Sequence, residues 1–458
     1  MLAQEYLSLL NDGWRKVFPD ARTHQRAVEH ALAWPCAMGR RTISQTVCML
    51  GRADQDWSAD YKLFSRSPWK PDELFNPIIA QYLQRYAKGP IVVALDDTKL
   101  HKTGKHIPGA SWQRDPMSPP FHVNFIWGLR FLQASLIFPH HQQGEFSARA
   151  FPVRFHHLPS LKKPGKRATE AERKAYDTLR KQKNLSASTL SLIKDLRYQL
   201  DEQGAVERKL LVTGDGSFCN RSLFKAPLRN VDLLARCRKD ARLCFPDLSP
   251  SHRKFAVEKF TPQDVRQSDR LPWKQTRIYF GSKRRKVRYK VLGSVLWQRG
   301  AGTRLLRLIV IAPVPYKASP HSHINYREPA YLLTTDLTTS TKKLLQHYFD
   351  RWQIEVNHRD EKTLLTVGQS QLWSELSVSR QPAFTVASYS MLLLADLRCF
   401  GPGRTSDFLQ LPKWRNRPPI RPSLQDLLTR LRQDVCETSV SAIASANFAK
   451  NITIYSKT

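Results

Sequence analysis

The sequence lacks the features of a secreted or membrane-spanning protein. Its seven cysteines are scattered and odd in number, with no Cys-x-x-Cys pair or Cys/His cluster, so neither a disulfide framework nor a zinc site is indicated. The N-terminus lacks the charged-then-apolar order of a signal peptide, and no apolar run approaches the roughly 20 residues needed to cross a bilayer. These absences predict a protein of the reducing cytosol without a membrane partner.

Acidic residues are also scarce. Lys and Arg number 73 against 39 Asp and Glu, which gives a formal net charge of +34 and a pI near 10.2. A hydrophobic fraction of 41% is enough to bury real cores, and 458 residues predict about two to four domains. Because the charge is spread over an otherwise globular chain, it indicates a polyanionic partner, with nucleic acid the leading candidate. The basic runs are Arg40–Arg41, Lys162–Arg167, Lys283–Lys290 and Arg404–Arg421.

The first 88 residues carry the start and stop signals of short helices. One predicted helix ends at Pro35, and the next begins with a capping box at Thr42. Two short helices joined by a turn that contains Arg40 and Arg41 suit a helix-turn-helix reader of DNA. A small helical bundle with basic loops would show the same pattern, so both interpretations stand.

From residue 90 onward the pattern becomes α/β. Two apolar runs of strand length, Ile91–Leu95 and Lys209–Thr213, are each followed closely by an Asp, and a helix with a leucine seam lies between them. Residues 99–115 are predicted to be a mobile basic loop. Between about Phe245 and Pro329 the sequence alternates without a helical period, which predicts a β-rich insertion ahead of the last core helix.

Three carboxylates belong to separate predicted elements. Asp96 or Asp97 follows the first strand, Asp215 follows the second, and Glu355 lies in a helix predicted to run unbroken from Thr341 to Lys362. Carboxylates that approach from different elements are the ligands that hold two hard divalent cations about 3.5–4 Å apart in phosphodiester chemistry. Successive strand residues point to opposite faces, so only one of the two neighbouring Asp side chains can face such ions.

The helix that contains Glu355 has two stripes. At about 100° per residue, Tyr348, Arg351, Glu355 and Lys362 share one stripe, so the carboxylate lies between two cations that suit phosphate oxygens. The second stripe is apolar and is predicted to face the core. It consists of Leu345, Phe349, Trp352 and Val356.

These motifs resemble those of DDE-type transposases from bacterial insertion sequences, in the cut-and-paste group with a Tyr-x2-Arg-x3-Glu-x6-Lys signature. The signature is complete at Tyr348, Arg351, Glu355 and Lys362. The family's first motif matches Asp96-Asp97-Thr98, which favours Asp96, and its second matches Asp215-Gly216. The resemblance covers about residues 90–365. It implies an α/β fold: an RNase H-like mixed-sheet core interrupted by a β-rich insertion, with helical N- and C-terminal regions.

The resemblance also implies an activity, namely metal-dependent cleavage at transposon ends followed by strand transfer into target DNA. Asp96, Asp215 and Glu355 would be the catalytic residues and would bind two Mg²⁺ ions, for which Mn²⁺ can substitute. The DNA-binding residues would be Tyr348, Arg351, Lys362, Arg40 and Arg41. The partners would be double-stranded DNA, as terminal inverted repeats and target, and a second copy of the chain. The expected location is the bacterial cytoplasm, at the nucleoid.

The predicted domains are a helical DNA-binding domain (1–88), a core in two parts (89–244 and 331–400), the β-rich insertion (245–330), and a linker with a C-terminal helical region (401–458). Two alternatives remain open. One is an RNase H-like DNA nuclease that cuts without strand transfer, which would not need terminal repeats beside its gene. The other is a non-catalytic DNA-binding protein derived from a transposase, which the presence of all three acids disfavours.

Overall fold

The computed structural model describes residues 1–115, 117–119, 121–142, 146–247, 253–281, 283–317, 322–414 and 419–437. The strands are β1 Ile91–His101, β2 Ser111–Arg114, β3 Phe125–Phe138, β4 Arg149–Leu158, β5 Leu210–Gly214, β6 Val231–Arg236, β7 Lys274–Phe280, β8 Lys283–Leu296, β9 Leu305–Ile311, β10 Pro315–Tyr316, β11 Asn325–Tyr326 and β12 Ala330–Thr334. The helices are α1 Leu2–Trp14, α2 Ala21–Cys36, α3 Ile43–Met49, α4 Ser58–Ser65, α5 Asn76–Arg85, α6 Glu170–Gln182, α7 Leu185–Glu202, α8 Arg221–Phe224, α9 Pro262–Gln267, α10 Gln298–Ala301, α11 Thr341–Asp350, α12 Gln353–Thr363, α13 Glu375–Phe400 and α14 Leu424–Glu437. Of the predicted C-terminal region, residues 415–418 and 438–458 lie outside the described residues.

One mixed sheet of ten strands runs through the described part of the chain, in the order β2-β3-β1-β5-β6-β12-β9-β8-β7, with β4 also paired to β3. β1 is antiparallel to β3 and parallel to β5, and β5 is parallel to β6. The segment β4-β3-β1-β5-β6 therefore has the strand order of an RNase H-like core. The apolar runs of β1 and β5 are buried on both sides, as is usual for central strands of a sheet covered on both faces. The predicted fold class is confirmed.

The predicted insertion continues this sheet. β12 pairs antiparallel with β6 on one side and with β9 on the other, and β8 and β7 follow outward. The strands expected near residues 276–280, 287–292 and 305–311 are present. Because the inner strand β9 is apolar and largely buried, it packs as part of the core sheet. The segment 245–330 thus widens the catalytic sheet at one edge.

The N-terminal helices share a hydrophobic core with the C-terminal ones. α13 is long and apolar enough to cross a membrane by length and composition, yet 83% of its apolar window is buried inside the protein, where α1, α2 and α4 pack on it. The Tyr6 hydroxyl donates to the carbonyl oxygens of Ala31 and Ser388 at 3.0 and 3.2 Å. The indole of Trp34 donates to the Leu365 carbonyl oxygen at 3.1 Å. Residues 1–88 are therefore packed against the rest of the chain rather than apart from it.

Two local predictions have different outcomes. The start of α3 is confirmed, because the Thr42 hydroxyl accepts a hydrogen bond from the Gln45 amide. The loop predicted over residues 99–115 is wrong at both ends, since β1 continues to His101 and Ser111–Arg114 forms β2. Both segments pair with the fourteen-residue β3. Gly128 allows this close pairing, because a Cβ atom there would lie 2.4 Å from the Leu100 carbonyl oxygen.

Candidate active site

Asp96 and Asp97 point to opposite faces of β1 and have different partners. Asp97 accepts a hydrogen bond from the Arg130 guanidinium at 2.7 Å, in a partly buried ion pair. Asp96 is paired in register with Gln133 of β3 and lies on the face covered by α12. Burial, followed by the neighbouring carboxylate of Asp215, raises the pKa of Asp96 to about 7. The geometry therefore favours Asp96 as the acid that shares a site with Asp215.

Asp215 reaches the same level of the sheet as Asp96. The parallel register of β1 and β5 sets Ala94 beside Thr213. Asp96 and Asp215 each lie two residues beyond this pair, so they come at the same level on adjacent strands. Asp215 leaves β5 at the start of a short 3₁₀ turn, where its carboxylate accepts the Ser217 amide at 2.8 Å. The Asp215 side chain thereby ends the strand and remains beside Asp96, as its electrostatic effect on that group indicates.

Glu355 lies just after a break between two helices. The predicted unbroken helix is wrong: α11 ends at Asp350, α12 begins at Gln353, and the Glu355 amide bonds to the Trp352 carbonyl oxygen three residues back. The start of α11 is as expected, because the Ser340 hydroxyl caps it. The tighter turn places Glu355 in the first turn of α12, where burial raises its pKa and the nearby Asp215 adds to the effect. The three predicted acids are thus brought together.

The other residues of the signature surround these acids. The Arg351 guanidinium donates to the Glu355 carboxylate at 3.0 Å and lies 6.0 Å from the centre of the Tyr348 ring. The pKa of Tyr348 is raised by burial. Lys362 lies on the same stripe about two turns farther along α12, close enough to Asp96 to interact with it electrostatically. Burial lowers the pKa of Lys362. The acids therefore have cations on two sides.

The buried side of α12 is polar, which the sequence pattern did not reveal. The predicted apolar stripe is wrong at Trp352, which is 40% exposed. The buried residues of α12 include Asn357, His358 and Glu361, and the helix packs on β4 and β1. His358 Nδ1 lies 3.8 Å from the Asp96 carboxylate, and burial lowers the His358 pKa to about 3, so the ring is neutral. Apolar periodicity gives no signal for such a side; polar residues at steps of three and four could have indicated it.

Two further arginines that sequence analysis missed border the acids. A cavity of about 260 Å³ beside the break between α11 and α12 is lined by Arg236, Arg327, Tyr348, Arg351 and Trp352, among others. The Arg327 guanidinium lies 5.4 Å from the centre of the Trp352 ring. Arg236 is the last residue of β6. Its position at the end of a buried strand is the sequence signal that could have identified it as a site residue. A larger cavity, of about 1070 Å³, lies around Asp72, Arg154 and His156 and includes none of the acids.

Comparison with protein families identifies the chain. The model for the DDE superfamily endonuclease family matches residues 16–301, which is more than half of the sequence. The chain belongs to the DDE superfamily endonucleases. The match includes Asp96 and Asp215 and ends before Glu355.

Other comparisons add little to this DDE endonuclease assignment. No curated protein matches the chain. Among solved structures it is similar to one described as the cryo-EM structure of piggyBac transposase synaptic complex with hairpin DNA, at 10% identity and a TM-score of 0.36. That alignment covers 98% of this chain and 78% of that chain. Because the score is low, the fold assignment depends on the strand order described above.

The N-terminal arginines of this DDE endonuclease differ in accessibility. Arg40 is exposed, whereas Arg41 is 6% exposed and its guanidinium donates to the Trp34 carbonyl oxygen at 3.0 Å. Burial, with the charge of Arg432, lowers the Arg41 pKa to about 10. The predicted DNA contact of Arg41 is therefore not supported, because its side chain is used inside the protein. Arg40 stays a prediction.

The donor set fits hard divalent cations. Asp96, Asp215 and Glu355 supply only carboxylate oxygens, and burial raises the pKa of Asp96 and of Glu355. As positioned, the described residues contain no group of three or more His, Cys, Asp or Glu side chains arranged to hold a metal ion. Glu355 is instead paired with Arg351. Binding of a cation would thus require Glu355 to exchange this partner.

Proposed function

We propose that this chain is a DNA transposase that cleaves at transposon ends and joins the released ends to target DNA, as a dimer in the bacterial cytoplasm. The observation that carries the proposal is the shared level of Asp96 and Asp215 on adjacent parallel strands, with Glu355 beside them. Around this acidic centre the side chains are cationic, as phosphodiester substrates require. The net charge of +34 supports a polyanionic substrate of considerable length.

Asp96, Asp215 and Glu355 would hold two divalent cations, Mg²⁺ with Mn²⁺ as a substitute. Bound there, such ions would activate the attacking oxygen and stabilise the departing one. The chain's own residues contribute charge balance and position. Asp96 and Asp215 repel each other when both are ionised, and this repulsion favours occupation of the site by a cation.

The basic residues would bind the DNA strand on either side of the acids. Arg351 pairs with Glu355 and, once released, is placed to donate to a phosphate next to the scissile bond. Lys362 would bind a second phosphate from the other side of Asp96. Arg327 and Arg236 line the cavity next to Tyr348 and Trp352, where a displaced part of the strand could be accommodated. These four cations explain how a strand can be held without a base-specific pocket.

The test is cleavage of a plasmid that carries the gene with its natural flanking sequence. Purified wild type and Glu355→Gln would be incubated with Mg²⁺, Mn²⁺ or a chelator, and ends and joints would be mapped by sequencing. We expect metal-dependent excision and joined products from the wild type. For Glu355→Gln we expect the cleavage rate to fall by more than about 100-fold. This exceeds the loss of up to about 100-fold that is usual for residues that only orient a metal ligand. DNA binding by the variant should be nearly unchanged.

The control is Glu361→Gln, a change of the same type six residues along α12. Excision at repeats with joining confirms a transposase, whereas cutting that ignores the repeats and yields no joints would indicate a simple nuclease. Tight binding without cutting in any metal would overturn the enzymatic proposal. Equal loss of binding and cutting in Glu355→Gln would contradict the role proposed for that residue.

A further inference from the structure

The hairpin β2–β3 has one face on which large aromatic side chains are exposed among the described residues. Side chains alternate along a strand, so Trp112 and Arg114 of β2 share a face with Phe125 and Trp127 of β3, to which they are directly paired. Trp112 is 68% exposed and Phe125 is 61% exposed. The rings of Trp112 and Trp127 meet edge to face with centroids 5.8 Å apart. We call these four residues the aromatic ribbon.

Hydrogen bonds hold the ribbon in place, so its aromatic side chains are exposed in the folded protein. Trp127 donates from its indole nitrogen to the Gly104 carbonyl oxygen at 3.0 Å. The Lys99 ammonium group donates to the Arg114 carbonyl oxygen, which ties the far end of β2 to β1. Large aromatic side chains left exposed on an ordered strand pair indicate a surface that another molecule covers.

The charge around the ribbon selects the kind of partner. Of the five Lys and Arg side chains in residues 99–130, Arg114 belongs to the ribbon and Lys105 is exposed, whereas the other three are bonded inside the protein. The one carboxylate in this stretch is Asp115. Asp115 accepts the Met117 amide at 2.9 Å within its own turn. Aromatic rings beside an exposed guanidinium group suit bases and phosphates, which offer flat faces and negative charge together. An acid-poor surface of this kind is poorly suited to a second copy of a chain with net charge +34.

The ribbon lies on the Asp96 side of the sheet. Gln133, the partner of Asp96, and Trp127 are six residues apart on β3, and Phe125 is two residues farther. At about 3.4 Å per residue this separation is roughly 20–27 Å along the strand. The axial rise of DNA is also about 3.4 Å per base pair, so the same span covers roughly six to eight base pairs.

We propose that the aromatic ribbon is a DNA-binding surface whose rings press against bases about six to eight base pairs from the scissile phosphate at the acidic centre. This inference rests on the proposed function, because it takes DNA as the substrate of the acidic centre. The rings would partly unstack a base step there, and Arg114 would contact the adjoining phosphate. The ribbon would thus fix the direction in which the duplex leaves the active site.

The test maps the contact on a duplex of about 60 base pairs. A photo-cross-linking amino acid would replace Trp112 in the full chain, and the cross-linked nucleotide would be located relative to the nick made in Mg²⁺ or Mn²⁺. We expect cross-links about six to eight nucleotides from the nick. The double variant Trp112→Ala/Phe125→Ala should bind the duplex at least about 10-fold more weakly, in line with the loss of base stacking. Trp112→Tyr should retain binding to within about 3-fold.

Tyr198→Ala, which removes an aromatic side chain that is 67% exposed on α7, is the matched control and should bind as the wild type does. Cross-links to a second copy of the chain, cross-links within two nucleotides of the nick, or unchanged binding by the double variant would overturn the proposal. Failure of the proposed function has a separate signature, namely no nick in any metal. Anisotropy and cross-linking then still show whether the ribbon contacts DNA.

Discussion

Glu355 and Glu361 lie six residues apart on α12, yet their surroundings differ in almost every respect. Glu355 is partly exposed, is paired with Arg351, and shares a site with Asp215. Glu361 is 1% exposed, and within the described part of the chain neither of its carboxylate oxygens lies at hydrogen-bond distance and angle from a donor. Gln133 is nevertheless close enough to act on its pKa, which burial raises to about 8. One glutamate is thus available as an anion, and the other is kept neutral at neutral pH.

This contrast shows how the helix separates its two tasks. The exposed side of α12 presents charge, while on the buried side Asn357 is hydrogen-bonded to Ser135 of β3 and to Ala150 of β4. Asn357 and Glu361 sit on this buried side. Because hydrogen bonds are directional, a polar interface specifies one position of the helix more narrowly than an apolar interface of equal area. That position determines the distance between Glu355 and Asp96.

The largest difference in cleavage is expected between variants of Asp96 and Asp97. These neighbours on β1 also have one acid in the acidic centre and one outside it. Asp96→Asn should reduce DNA cleavage by more than about 100-fold, because it removes a carboxylate from the acidic centre. Asp97→Asn should leave cleavage within about 10-fold of wild type and destabilise the fold by only about 0.5–1 kcal/mol, since its partly exposed ion pair with Arg130 is lost. Cleavage rates and urea midpoints measured in parallel check both. Greater loss from Asp97→Asn would reverse the assignment of the first acid.

Asn357→Ala should have a moderate effect, and mainly on the free energy of unfolding rather than on cleavage. The Asn357 amide donates to the Ala150 carbonyl oxygen at 3.0 Å and to the Tyr389 hydroxyl at 3.2 Å, and its carbonyl accepts from Ser135 at 3.1 Å. Removal leaves buried polar groups without partners and should lower the free energy of unfolding by about 1–3 kcal/mol. Arg351→Ala, in the break before α12, is the comparison at the acidic centre and should lower cleavage with little change in stability. An Asn357→Ala variant as stable as wild type would show that the buried network does not hold the helix.

Sequence reasoning reached the acids because strand-end carboxylates and the signature of the Glu355 helix are local patterns. Asp96 and Asp215 follow short buried runs, and parallel strands bring such ends together without further information. Strand alternation alone left Asp96 and Asp97 open and the family motif favoured Asp96; the ion pair of Asp97 with Arg130, on another strand, agrees with that choice. The sheet order beyond β6 was likewise beyond local patterns, because it depends on which edge β12 and β9 occupy.

The misses have a common physical origin. No Gly or Pro marks the break at Arg351 and Trp352, so a helix pattern ran through it. The role of Arg41 depended on Trp34 and Arg432 in space, since a basic turn is compatible with either solvent or burial. The buried polar side of α12 was invisible to an analysis that equates burial with apolar residues. In each case tertiary contacts overrode local preference.

Glu361 gives the smallest and most specific prediction. Burial raises the pKa of Glu361 from its ordinary value of 4.5 to about 8, so the native state binds the proton more tightly than the unfolded state does. Stability from this group is therefore fully present below about pH 4.5 and is lost as the pH rises to about 8, by at most about 1.4 kcal/mol per pH unit. Glu361→Gln keeps the shape but cannot ionise, so its stability should fall less between pH 6 and pH 9.

Denaturant unfolding of wild type and Glu361→Gln at several pH values measures this difference directly. The two curves should nearly coincide below about pH 4.5, separate between about pH 5 and pH 8 with the variant the more stable protein, and keep a constant gap at higher pH. Cleavage at pH 7 by Glu361→Gln should stay within about 3-fold of wild type, in contrast to the loss expected for Glu355→Gln. Parallel pH curves would mean that Glu361 is ionised and has a cationic partner in solution, and the contrast between the two glutamates would then disappear.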